Sequence, residues 1–171
     1  MFGSLQLLSH ELDLDAPWVA EQKFELATDE ELESSDSLLW QEPDWRTCLA
    51  WFAPLVKQSL DSGATVLHLL RDRKEKCLRQ LMYVPSTEQR DGYEWAEFVP
   101  MLWPLSNAAF RSVRRIASIV LWSKRGTIYY RYGGKRAKAR YVQESTDDLV
   151  IYFTADRPAI RRLPPEPSRA D

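Results

Sequence analysis

The sequence predicts an α+β fold: an antiparallel sheet of about four to five strands with helices packed on one face, preceded by an acidic arm. Three observations predict it. Apolar residues recur at helical spacing over 45–60 and 106–120, and alternating runs flank two turn signals, at 71–76 and at 133–134. The charge is also segregated along the chain. Residues 1–45 hold twelve Asp or Glu and one Lys, whereas residues 46–171 hold twenty-two Lys or Arg and thirteen acids, so a formal net charge of −2 conceals an arm of −11 on a body of +9. A chain of 171 residues is long enough for one domain with its own core and a modest arm.

In chain order, residues 1–43 form the arm. It scatters Leu12, Leu14, Trp18, Val19, Phe24 and Leu26 among acids, which makes it too polar to fold alone and too aromatic for a plain spacer; docking is expected. Thr28-Asp29-Glu30-Glu31 has capping-box spacing and predicts a short acidic helix. The domain proper spans 44–156. Its first helix presents Trp45, Cys48, Leu49, Phe52, Leu55, Val56 and Leu60 on one face, with Pro54 expected to kink or restart it and Gly63 placed as the C-terminal cap. Residues 64–70 and 78–84 read as a hairpin across the charged turn 71–76. Between 85 and 105, Pro85, Gly92, Pro100 and Pro104 argue against any long regular element, leaving a short helix around Trp95 to Val99.

From Ser106 a second amphipathic helix sets Phe110, Val113, Ala117 and Val120 against Arg111, Arg114, Arg115 and Ser118. Thr127–Tyr132 and Lys135–Val142 flank Gly133-Gly134, whose freedom at positive φ suits a two-residue hairpin turn. That register opposes Tyr130 to Ala137 and Ile128 to Ala139. One face then carries Ile128, Tyr130, Tyr132, Ala137, Ala139 and Tyr141, and the other carries Tyr129, Arg131, Arg136, Lys138 and Arg140. Leu149–Thr154 reads as a last strand, and 157–171 as a proline-rich disordered tail.

Chemistry is hard to find in this inventory. Neither GxxxxGK[ST] nor GxGxxG occurs to cradle a nucleotide, and GxSxG is absent. His10 and His68 have no metal-ligand spacing to Cys, Asp or Glu, and His68 reads as a core-edge histidine held by hydrogen bonds. The neighbours Asp147-Asp148 read as turn chemistry. Cys48 and Cys77 sit in no CxxC and read as buried thiols of a reduced, cytoplasmic protein. The first residues lack a signal peptide's basic start, and no run of eighteen apolar residues predicts a membrane span. The expectation is a non-enzymatic protein with no cofactor and no metal.

The basic face, Arg111, Arg114, Arg115, Tyr129, Arg131, Arg136, Lys138 and Arg140, is the candidate site. Its leading reading is docking of an acidic protein surface or of the chain's own acidic arm. The alternative is single-stranded nucleic acid, with cations along the phosphates and Tyr129 stacked on a base, although the acidic overall pI of about 5.8 weighs against it. A weaker alternative is an apolar-ligand sensor lined by some of the seven tryptophans.

The order of helix, Gly63-Ala64-Thr65-Val66-Leu67-His68, hairpin, basic helix, and a hairpin bounded by Gly126 and turning at Tyr132-Gly133-Gly134-Lys135 resembles one known arrangement. It is similar to the small domain preceding the motor in type II secretion and type IV pilus assembly ATPases, over about residues 52–155. The resemblance implies a PAS-like sheet and an adaptor role linked to a secretion or pilus assembly system. Departures accompany it: Val66 and Leu70 stand where the family has acids, and Leu81 and Tyr83 where it tends to have arginines. The ATPase motor has no counterpart in these 171 residues, so the resemblance implies a domain without nucleotide work.

Overall fold

The computed structural model describes residues 11–21, 24–27, 45–102, 113 and 124–153, with backbone alone for 45–49 and 102. The fold is α+β. Its elements are β1 (Leu12–Asp13), α1 (Pro17–Glu21), α2 (Trp45–Asp61), β2 (Val66–Asp72), β3 (Cys77–Pro85), β4 (Tyr93–Leu102), β5 (Arg125–Tyr132), β6 (Lys135–Gln143) and β7 (Asp148–Tyr152). The strands form one curled sheet in the order β1-β5-β6-β7-β2-β3-β4, antiparallel throughout except for β1, which runs parallel to β5.

Helix α2 forms because its apolar residues return to one side at steps of three and four, and it passes through Pro54 as a single helix. The proline removes only the amide that would have bonded to the Ala50 carbonyl. The helix stops where predicted. Gly63 adopts φ +76°, its amide donates to the Leu60 carbonyl, and the Ala64 amide donates to the Ser59 carbonyl, the paired bonds of a Schellman cap. A side chain at Gly63 would be strained by this φ and would also crowd the Pro85 ring.

The curl of the sheet places α2 against its inner face. Phe52, Ala53, Leu55 and Val56 pack with Ile128 and Tyr130 of β5, Ala139 and Tyr141 of β6, Leu149 and Ile151 of β7, and Leu67 and Leu69 of β2. Leu78, Met82 and Val84 of β3 and Phe98 of β4 complete the layer. Alternate residues of the strands thus enter one core, as pleating requires, although Ala137, on the same phase as Ala139 and next to the turn, is exposed. On the outer face, Val66, Tyr83 and Val150 form a second buried cluster under Tyr93, Trp95 and Tyr152.

The sheet has seven strands rather than the four to five expected, and the two additions have different causes. Strand β1 is only two residues long, too short for alternation to announce it. Strand β4 runs where the prolines argued against a long element, and Trp95–Val99 is extended rather than helical. Pro100 is tolerated because Leu78↔Met101 is followed by Gln80↔Phe98, so β4 spends an extra residue at a bulge, on the strand that ends the strand order.

Residues of the acidic arm touch both margins of the sheet. Leu12 and Asp13 pair with Tyr130 and Arg131 of β5. Beyond α1, the Gln58 side-chain amide clamps the Phe24 backbone, accepting from its amide and donating to its carbonyl, each at 2.7 Å. Leu26 then bridges to Phe98, with the Val99 amide donating to the Glu25 carbonyl and the Ala27 amide to the Glu97 carbonyl. Pro17 at the first position of α1 and buried Val19 hold the segment between these attachments.

Several expectations fall outside the described residues: those for His10 and the Cys48 thiol, the helix at Thr28–Glu31, the tail 157–171, and the helix from Ser106 except Val113, which is helical and fully buried in the core. Among the described residues, no helix is long and apolar enough to cross a membrane.

Candidate functional site

The β5–β6 hairpin turns through Gly133 and Gly134 at φ +59° and +75°, the pair of left-handed residues that a tight hairpin with right-handed strand twist demands. The register follows from that turn: Tyr130 opposes Ala137 and Ile128 opposes Ala139. Ile128, Tyr130, Ala139 and Tyr141 are buried, so the intervening Tyr129, Arg131, Arg136, Lys138 and Arg140 share the outer face, all exposed. Arg111, Arg114 and Arg115 lie outside the described residues.

Direct opposition sets Arg131 against Arg136, and two like charges on facing positions repel. The arm answers this. Glu11 brings one carboxylate oxygen to 3.8 Å from Arg131 Nε and the other to 3.5 Å from Arg136 Nε. Four residues on, the Asp15 carboxylate accepts from the amides of Gly133 and Gly134 at 2.7 and 2.9 Å, filling the anion-binding concavity that two successive left-handed residues create. Arg140 takes another route, its guanidinium lying 4.7 Å from the centre of the Tyr152 ring. Lys138 and Tyr129 oppose one another, and neither side chain bonds to another described residue.

The inner side of the turn is anchored to α2. Tyr132 donates its hydroxyl to Asp61 Oδ1 at 2.7 Å, and this bond, with burial and the Asp61 charge, pushes the phenol up to about 12. Burial acts to raise the Asp61 carboxyl, but hydrogen bonds from Lys57 and Tyr132 outweigh it and hold the group below its ordinary value. The scaffold under the cations is therefore fixed at both ends of the hairpin turn, by Asp15 and by Asp61.

A second polar cluster lies on the outer face of the central strands. His68 is buried, with Nε2 2.8 Å from Asp148 Oδ1, and Ser145 donates its hydroxyl to Asp148 Oδ2 at 2.7 Å. Serine, aspartate and histidine meet, but the carboxylate stands between the other two, so the imidazole cannot take the serine proton as nucleophilic catalysis requires. Asp147 is engaged by Arg71 Nε at 3.2 Å and Arg73 Nε at 2.9 Å, an ion-paired turn. Among the described residues no three His, Cys, Asp or Glu side chains are placed to hold a metal.

Sequence reasoning named the cations and offered the acidic arm as one partner for them, but not which of its acids meet them. The signal was present in Glu11-Leu12-Asp13-Leu14-Asp15, whose period of two is a strand pattern with alternate residues buried, yet it was legible only as scattered acidity. Comparisons of the chain with protein-family models and with the curated proteins find no match.

Proposed function

We propose that the chain is a non-enzymatic interaction domain that docks an acidic surface through the outer face of β5–β6. One observation carries this reading: Glu11 of the arm already sits between Arg131 and Arg136, while Lys138 and Tyr129 beside them are exposed and carry no bond to a described residue. The arm acts as a partial occupant of the face and as a local competitor for the partner. The setting suggested by the resemblance in sequence is an adaptor of a secretion or pilus assembly system, working in the cytoplasm.

A second reading, single-stranded nucleic acid, draws its support from Tyr129, which is 43% exposed and opposed by Lys138, the combination of stacking platform and phosphate cation that such ligands use. A fluorescence titration separates the two. Labelled polyglutamate and labelled oligothymidylate are each titrated at low and high salt against the protein and against Arg136→Ala/Lys138→Ala. Binding of polyglutamate that weakens with salt and is lost in the double variant supports acidic-surface docking. Preference for the oligonucleotide, with a salt slope that shrinks in the double variant, transfers the face to nucleic acid. Binding of neither at low salt, or equal binding by the double variant, removes both readings.

A further inference from the structure

We infer that the facing pair Arg131 and Arg136 is a binding site for a phosphate monoester carried on a partner protein. The inference rests on the proposed docking role of the basic face and names the group that anchors the partner there.

The turn decides how the two arginines meet. In a hairpin closed by two residues the flanking pair Tyr132↔Lys135 exchanges hydrogen bonds, so the next pair, Arg131↔Arg136, is a non-hydrogen-bonded one, where facing side chains come closest. The Arg131 carbonyl agrees, since it turns away from β6 and accepts from the Leu14 amide at 3.0 Å. Two exposed guanidinium groups, each a planar fork of N–H donors, therefore stand over one spot on one face. That Glu11 meets both shows that a single anion can span them.

Glu11 fills the spot poorly. Its oxygens lie 3.8 and 3.5 Å from the two Nε atoms, beyond the roughly 2.7–2.9 Å of a charge-assisted hydrogen bond, and neither guanidinium has another acceptor among the described residues. Arg79 is satisfied quite differently, its single fork giving two bonds of 2.7 Å to the Glu97 carboxylate. At Arg131 and Arg136 one carboxylate faces two cations that repel each other. The group that completes this balance carries about two negative charges and several acceptor oxygens, which describes a phosphate monoester at neutral pH.

Charge density alone does not choose the ligand. Glu11, Asp13 and Asp15 all lie at this margin of the hairpin, Asp13 beside Arg131 in the β1 pairing and Asp15 on the turn amides, and they temper any diffuse attraction of anions. Selection falls to short-range geometry, where two forks meet a tetrahedral group. A phosphodiester in a nucleic-acid strand brings one charge, no more than Glu11 already supplies, which favours a phosphorylated side chain. Lys138, exposed on the same face two residues beyond Arg136 and bonded to no described residue, is placed to meet an acidic residue flanking it.

The test uses the full chain and a labelled peptide with one phosphoserine, followed by fluorescence anisotropy. Two comparison peptides carry Glu in its place, or the same phosphoserine capped as a methyl diester with one charge. The monoester should bind roughly tenfold or more tightly than either. Arg131→Lys/Arg136→Lys keeps both charges and removes the forks, and it should bring the phosphoserine peptide down to the level of the Glu peptide. Glu11→Gln removes the resident carboxylate and should strengthen phosphopeptide binding several-fold.

Equal binding of the phosphoserine and Glu peptides, or a preference that survives in the lysine variant, overturns the phosphate site. If that equal binding falls with salt and is lost in Arg136→Ala/Lys138→Ala, docking of an acidic surface stands without it. Binding of none of the three peptides at low salt removes both. Tighter uptake of a terminally phosphorylated oligothymidylate than of the phosphopeptide would assign the monoester to a nucleic-acid end and overturn the partner protein as its source. Inorganic phosphate that displaces the phosphopeptide at equal concentration would assign the site to the free ion, with the same consequence.

Discussion

The two long hairpins of this sheet, β2–β3 and β5–β6, share a motif and an inner face but differ on the outside. Each gives its inward side chains to the core around α2. On the outer face of β2–β3, however, Cys77, Arg79, Leu81 and Tyr83 are all buried, and the buried charge is neutralised internally. Arg79 grips Glu97 with two bonds of 2.7 Å, and these side chains are 6% and 9% exposed. On β5–β6 the side chains of Arg131 and Arg136 are 47% and 76% exposed and share one glutamate from the arm. The first hairpin has spent its charges on structure. The second keeps them in reach of a partner.

The contrast breaks most sharply at Glu97. Replacing it with Ala leaves Arg79 charged and buried, and the expected cost is about 3–5 kcal/mol in urea denaturation. A loss no larger than for an exposed pair would mean that the two outer faces do not differ. Next come core truncations, Leu67→Ala in β2 and Ile128→Ala in β5, each expected to cost about 2–5 kcal/mol. Similar losses at the two sites would sharpen the point that the hairpins share an inside; a free truncation at Ile128 would dissolve it.

Asp15→Ala removes the acceptor of both turn amides, and about 1–2 kcal/mol should be lost, with faster hydrogen exchange at Gly133 and Gly134 as the local readout. Unaltered exchange would show that the turn does not need the arm.

Titration discriminates more weakly. Burial, with the hydrogen bond to Asp91, pushes the Tyr83 phenol up to about 12, and the bond to Asp61 does the same for Tyr132. An acid whose folded value lies above its unfolded value of 10 contributes stability that is fully present below pH 10 and is lost as pH rises toward 12. Stability should fall through that window, and Tyr132→Phe should flatten the fall. Smallest of all is the effect of Arg136→Ala on stability, within about 0.5 kcal/mol of zero, since surface substitutions away from structural devices rarely exceed that. A larger loss would make this cation structural, like those of β2–β3.

What the sequence disclosed depended on how local each device is. The β5–β6 register was legible because two glycines and two alternating runs lie side by side, and the end of α2 was legible because Gly63 sits where the helical period stops. Strand β4 was hidden by Pro100, whose ring normally excludes a regular ladder and is admitted here by a bulge that no local pattern marks. Strand β1 was hidden because its partner, Tyr130, is far along the chain and the pairing has no intervening turn to announce it. The same distance concealed Glu11 and Asp15 as partners of the basic hairpin, although the charge segregation had placed acid and base in separate regions. His68 was readable from its spacing, as a histidine without ligand neighbours; its partner Asp148 was not.

The seating of Leu12 beside Tyr130 also orders events in time. A ribosome releases the arm before any of its β5 neighbours exist, so β1 waits while most of the chain is still being made, and the Gly133-Gly134 turn must close before Asp15 has amides to hold. Residues made well before β5 must wait for it, and until then the nascent chain carries its acidic segment untethered from the strand it will cover.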